Sequence, residues 1–157
     1  MDTSPDALLK LLEQFQREGV SYILVGGHAV RLNGFIRSTE DIDILLPSSI
    51  ENGKKVIRAL DFLPSAADLK PEWFECDADE PENIRVADDL LVDLLFAANG
   101  QTYDSLQPHV RTLLVDGVEI RTLDIEGLLK TKTTQRDKDA VDRRALSTIL
   151  ERLRGRE

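Results

Sequence analysis

Apolar positions recur at helical spacing early in the chain. Leu8, Leu11, Leu12 and Phe15 form one stripe within "SPDALLKLLEQFQREGV", which predicts an amphipathic helix. Ser4 can cap it, Pro5 suits its first turn and Gly19 can end it. The next run, "SYILVGG", is continuous and apolar and reads as a short buried strand. "HAVRLNG" predicts a short helix closed by Asn33-Gly34, "EDIDILL" a second strand, and "SSIENGKKVIRALDFL" a second amphipathic helix opened by Ser48 or Ser49. Residues 64 to 82 are rich in acid and proline and read as an irregular loop that Trp73 and Phe74 pin to the core. "NIRVA" and "LLVDLLFA", separated by Asp88-Asp89, make a hairpin. A second hairpin joins "VRTLLV" to "VEIRTL" through Asp116-Gly117, the strongest short hairpin signal a sequence carries. The remainder reads as two helices with a break near Thr133-Thr134.

This order predicts an α/β (α+β) domain: a mixed sheet with helices packed on it and a helical C-terminal segment. A length of 157 residues suits one domain. We expect a core over residues 1–127 and a helical segment over 128–157 packed on it.

Charge is placed unevenly. The net value is −9, yet residues 1–127 carry 11 basic and 24 acidic side chains and residues 128–157 carry 9 and 5. So acidic a chain is a poor non-specific ligand for duplex nucleic acid, whose affinity comes from cationic contacts to phosphate. The basic tail can still meet a single anion locally. No apolar run nears the ~20 residues that span a bilayer, and "MDTSPDALLK" does not read as a signal peptide. One cysteine, Cys76, excludes an internal disulfide and fits a cytoplasmic protein. It is given no role.

The chemistry lies in "ILVGGHAVRLNGFIRSTEDIDILL". Side chains alternate along a strand, so Asp41 and Asp43 share a face, about 7 Å apart along the backbone. Ile42 and Ile44 take the opposite, core-directed face. Paired carboxylates repel unless a positive group sits between them. Magnesium is one such group, because it takes carboxylate oxygens, keeps waters and is completed by substrate phosphates. Gly26-Gly27 lies at a strand-to-helix turn, where backbone N–H groups favour an anion and no Cβ blocks its approach. Each half has an ordinary explanation alone, as a plain turn or a solvated acidic pair. Their succession is far more specific.

That succession resembles the DNA-polymerase-β-type nucleotidyltransferase superfamily, whose signature is Gly-Gly or Gly-Ser, roughly ten intervening residues, then Asp-x-Asp between apolar residues. Thirteen residues separate Gly27 from Asp41. The stretch is similar in particular to the prokaryotic branch of AbiEii-type toxins and minimal nucleotidyltransferases, in which an Arg-x-Thr, here Arg37 and Thr39, is frequent. The serine common after the first glycine is absent here. The resemblance implies a third carboxylate on a neighbouring strand, matched by Asp93, with Asp88 and Asp89 as weaker competitors. It implies nucleotide or phosphate contacts from Gly26, Gly27, Arg37, Thr39 and Lys130, with Arg136 and Lys138 behind them. In the tail, Lys138/Asp142 and Asp139/Arg143 also read as ordinary helix-surface pairs. His28, just after the glycines, can donate to a phosphate or acceptor, though a histidine at a helix start is more often structural; His109 has no motif around it.

The activity so implied is transfer of a nucleoside monophosphate from a nucleoside triphosphate to a hydroxyl acceptor. Asp41 and Asp43 would hold one Mg2+ on the triphosphate, and with Asp93 a second, Asp93 being also a candidate general base. The acceptor would be an RNA end, a protein hydroxyl or a small alcohol. A homodimer or an antitoxin-like partner protein would complete so small an enzyme, and no membrane is involved. Two other readings are a catalytically inert nucleotide- or partner-binding module and a plain interaction domain indifferent to metal.

Overall fold

Alternation of apolar and polar residues turns the predicted runs into one six-stranded mixed sheet, in a computed structural model. The structure describes residues 5–32, 41–76, 82–88 and 90–131. In chain order the elements are α1 (Pro5–Glu18), β1 (Ile23–Val25), α2 (Gly26–Leu32), β2 (Asp41–Leu45) and α3 (Ile50–Ala59). Two 3-10 segments (Pro64–Asp68, Pro71–Phe74) follow, then β3 (Ile84–Ala87), β4 (Leu91–Leu95), a 3-10 turn (Gln107–His109), β5 (Val110–Val115), β6 (Val118–Leu123) and α4 (Ile125–Thr131). The sheet order is β3-β4-β2-β1-β6-β5. Pairs β1/β2, β3/β4 and β5/β6 are antiparallel, and β1/β6 and β2/β4 are parallel. Both expected hairpins form. At the second, Asp116 and Gly117 have φ of 51° and 80°, the left-handed pair that a two-residue hairpin turn needs.

Each face of the sheet has its own apolar cluster. On one, Leu24, Ile42, Ile44, Val92, Leu94 and Ile120 pack against Leu8, Leu11, Leu12 and Phe15 of α1 and Val56 and Ala59 of α3. On the other, the smaller cluster of Ile23, Val25 and Leu45 is covered by Ala29 of α2, Leu106 and Leu128 of α4. The aspartates belong to this second face.

Side-chain hydrogen bonds fix the connections. Ser49 is the cap of α3, its Oγ accepting from Asn52 N at 3.1 Å. Asp124 caps α4 by accepting from Gly127 N at 2.7 Å, and His109 Nδ1 lies 3.2 Å from the same carboxylate. His109 is thereby structural. The part of the 64–82 segment up to Cys76 is more ordered than expected: it forms two 3-10 turns, and Ser48 Oγ both accepts from Cys76 N and donates to Cys76 O, at 2.9 and 3.1 Å. Only one of its aromatic residues is an anchor. Phe74 is 1% exposed, against Gly53 of α3, whereas Trp73 is 46% exposed. A 3-10 turn sends neighbouring side chains in different directions, and only Phe74 is turned onto Gly53.

Buried Asn52 ties α3 to the entry of β1, its Oδ1 accepting from Ser21 N (2.8 Å) and its Nδ2 donating to Ser21 O (2.9 Å). Asn52→Ala strands both backbone groups. We expect a loss of about 1–3 kcal/mol, read as a lower urea midpoint at unchanged m-value. The predicted helix end at Asn33-Gly34, the break at Thr133-Thr134 and the Lys138/Asp142 and Asp139/Arg143 pairs lie outside the described residues.

Candidate active site

The carboxylates meet because of register. Antiparallel pairing sets Val25 against Asp43, so the chain leaves β1 at Gly26 directly beside that side chain. Parallel pairing sets Asp43 against Asp93, and in parallel strands such partners point to the same face. Asp41 is two residues before Asp43 and shares that face. One carboxylate oxygen from each of Asp41, Asp43 and Asp93 lies within 4.8 Å of the other two. It is Asp93, then, that joins the pair. Asp88, its competitor, instead accepts from Ser65 N at 2.8 Å, and Asp89 is outside the described residues.

Gly26 has φ +73°, and a Cβ built there would collide with Asp43 Oδ2 and stand 3.0 Å from Asp43 Cβ and Cγ. Only glycine satisfies both the left-handed backbone and this close approach. The strand-to-helix turn is therefore shaped around the carboxylate. Gly27 and His28 follow in α2, both buried, His28 being 3% exposed. Lys130 is exposed in the last turn of α4, a helix packed against α2, and its carbonyl accepts from Asn99 Nδ2 at 3.0 Å. Arg37, Thr39, Arg136 and Lys138 lie outside the described residues.

One residue of the site escaped sequence reasoning. Arg85 of β3 pairs with Asp93 in the hairpin register, donating from Nε to Asp93 Oδ1 at 2.8 Å and from Nη2 to Asp93 Oδ2 at 3.1 Å. The same Nη2 donates to Asp41 Oδ2 at 3.2 Å. Its hydrogen bonds to Asp93, then that carboxylate's charge, raise the guanidinium pKa further above its usual value, with Asp41 and Asp43 adding less. A two-residue turn at Asp88-Asp89 would set residue 85 across from Val92. The observed register pairs Ala87 with Leu91 and sets Arg85 across from Asp93 instead, so counting from the expected turn does not find it.

Exposure grades across the group. Side-chain exposure is 17% for Asp93, 37% for Asp41 and 57% for Arg85. Asp93, the more buried of these two carboxylates, is thus also the one gripped at both oxygens. Three carboxylate oxygens gathered on one face of the sheet, partly open to water, are the hard donors that a divalent metal ion takes. Among the described residues no helix is long and apolar enough to cross a membrane.

No protein-family model matches the chain, and no curated protein matches it in sequence. Solved structures do. An inferred nucleotidyltransferase of Thermotoga maritima superposes with a TM-score of 0.57 at 15% identity, over 97% of this chain and 92% of that one. The lincosamide antibiotic adenylyltransferase LnuA, bound to lincomycin, gives 0.62 at 16% identity, over 95% and 99%. ANT(2")-Ia in complex with adenylyl-2"-tobramycin gives 0.57 at 15%, over 92% and 88%. Likeness at such low identity, across nearly the whole of each chain, is likeness of fold. This chain has the nucleotidyltransferase fold.

Proposed function

We propose that the protein is a magnesium-dependent nucleotidyltransferase that moves a nucleoside monophosphate from a nucleoside triphosphate to a hydroxyl acceptor. The observation that carries this reading is the approach of Asp41, Asp43 and Asp93 to within 4.8 Å beside the Gly26 turn, on this fold. Three mutually repelling, partly exposed carboxylates do nothing for the stability of a fold by themselves. A cation site explains them.

Asp41 and Asp43 would hold one Mg2+ together with the triphosphate, and Asp93 would complete a second position. Bound there, the ions would neutralise the triphosphate, lower the pKa of the acceptor hydroxyl and stabilise the entering and leaving oxygens. The Gly26-Gly27 turn lets phosphate approach backbone N–H groups without a side chain between. Lys130 on α4, with Arg37 and Thr39, adds positive charge and hydrogen bonds to the phosphates. Asp93 is the candidate to accept the acceptor's proton. The acceptor oxygen bonds to the α-phosphorus, the bond from that phosphorus to the bridging oxygen breaks, and pyrophosphate leaves.

Two of the similar structures contain lincomycin and adenylyl-2"-tobramycin. They favour a small alcohol as acceptor ahead of an RNA end or a protein hydroxyl, and ATP as the first donor to try. The AbiEii-type resemblance keeps a toxin–antitoxin role, in the cytoplasm, within the proposal, and a homodimer or antitoxin-like partner would complete the acceptor pocket. The inert-module reading has one observation in its favour: Arg85 grips Asp93 at both oxygens. Incubation with ATP labelled at the α-phosphate, against lincosamides, aminoalcohols, RNA and protein, separates the two. Magnesium-dependent label transfer with stoichiometric pyrophosphate supports the enzyme. Magnesium-dependent nucleotide binding with no pyrophosphate from any acceptor supports the module.

A further inference from the structure

Arg85 occupies the space between two of the three carboxylates. Its Nη2 is shared by Asp93 Oδ2 and Asp41 Oδ2, while its Nε takes Asp93 Oδ1. A divalent ion bridging Asp41 and Asp93 would compete with the guanidinium for Asp93, both of whose oxygens it holds, and for Asp41 Oδ2. A guanidinium and a divalent cation at one carboxylate pair repel, so their occupancies exclude each other. Asp43 acts on Arg85 as a charge, and more weakly than Asp93 or Asp41 does.

The side chain also has room to leave. β3 is an outer strand of the sheet, and the Arg85 side chain is more than half exposed, so its guanidinium can turn toward solvent. Its fork over Asp93 is bidentate, the geometry that holds a carboxylate most firmly.

Building on the metal-site reading above, we propose that Arg85 is a resident counter-ion: it fills the cation position between Asp41 and Asp93 in the unloaded protein, and a divalent ion must displace it. Loading is then ordered. An ion carried in with the triphosphate binds first at the Asp41/Asp43 pair, where the guanidinium holds one oxygen of Asp41. The position at Asp93 fills afterwards, when the guanidinium swings out. Arg85 thus relieves repulsion in the empty site and weakens the site's affinity for its second ion.

The test is titration of the metal-free protein with Mn2+, following free ion by electron paramagnetic resonance, for wild type, Arg85→Ala and Arg85→Lys. Melting temperatures are taken in chelator and in saturating Mn2+. Arg85→Ala should bind the weaker Mn2+ on the order of five-fold more tightly, the scale of an exposed ion pair removed from competition. Its melting temperature should fall in chelator and recover with Mn2+. Arg85→Lys keeps the charge without the fork and should lie between. Equal or weaker Mn2+ binding by a folded Arg85→Ala overturns the proposal while leaving the metal site standing. Absence of Mn2+ binding in wild type and both variants overturns the metal-site reading itself, and this proposal with it.

Discussion

Asp43→Asn should remove nucleotidyl transfer while leaving the fold as stable as before. Loss of a group that merely orients a metal ligand typically costs 10–100-fold in affinity or activity, so loss of a ligand should cost more than about a hundred-fold. Stability should respond in the opposite sense. Three carboxylates with oxygens within 4.8 Å repel one another, and an amide of the same shape relieves that repulsion. The expected result is a collapsed turnover with a melting temperature in chelator no lower than wild type. An interaction domain whose aspartates served only as surface charge would show no change in Mg2+ response. A purely structural aspartate would melt earlier when replaced. The pairing of lost activity with retained stability is what separates a site residue from either.

Gly26→Ala should damage both fold and site, and Gly19→Ala separates the causes. Both glycines have left-handed backbone, with φ of +73° and +69°. A non-glycine residue held there costs about 1–3 kcal/mol, and each kcal/mol lowers the melting temperature of a chain this size by about 2–4 °C. They differ in surroundings. A Cβ at Gly19 meets nothing within 4 Å, whereas one at Gly26 runs into the Asp43 carboxylate. Gly19→Ala should therefore be destabilised with Mg2+-dependent nucleotide binding intact. Gly26→Ala should be destabilised at least as much and should lose that binding, because Asp43 must rotate away from its partners. Equal nucleotide binding by the two variants would show that the close approach of Gly26 to Asp43 has no part in the site.

The elements of this fold were legible because their periods differ clearly. The 3–4 spacing of Leu8, Leu11, Leu12 and Phe15 and the two-residue alternation through Asp41–Leu45 leave little room for exchange. Asp93 was legible for a related reason, since an acid inside "LLVDLLF" must face something other than the core. Neither sheet order nor crossings follow from periodicity, however, so the meeting of β2 with β4 in the register Asp43 to Asp93 had to be supplied by the structure. Arg85 was missed for a different reason. In "NIRVA" it reads as an exposed residue on a half-polar strand, and only the antiparallel partner reveals what it faces. Trp73 and Phe74 show the same gap in apolar terms: adjacent aromatic residues look equivalent in sequence, yet only Phe74 packs against Gly53 while Trp73 is half exposed. Asn52 gave no sign of its task, because its partner is backbone at Ser21, thirty-one residues away.

If Asp41, Asp43 and Asp93 form a cation site that binds a nucleoside triphosphate, the protein's stability must respond to the two ligands together. The most direct measurement is thermal stability with each of the four ribonucleoside triphosphates, with and without Mg2+, for wild type and Asp43→Asn. At least one triphosphate should stabilise the wild type only when Mg2+ is present, and Asp43→Asn should lose the effect while remaining folded. A folded wild type that gains no stability from any triphosphate at millimolar concentration, with or without Mg2+, would contradict the cation site.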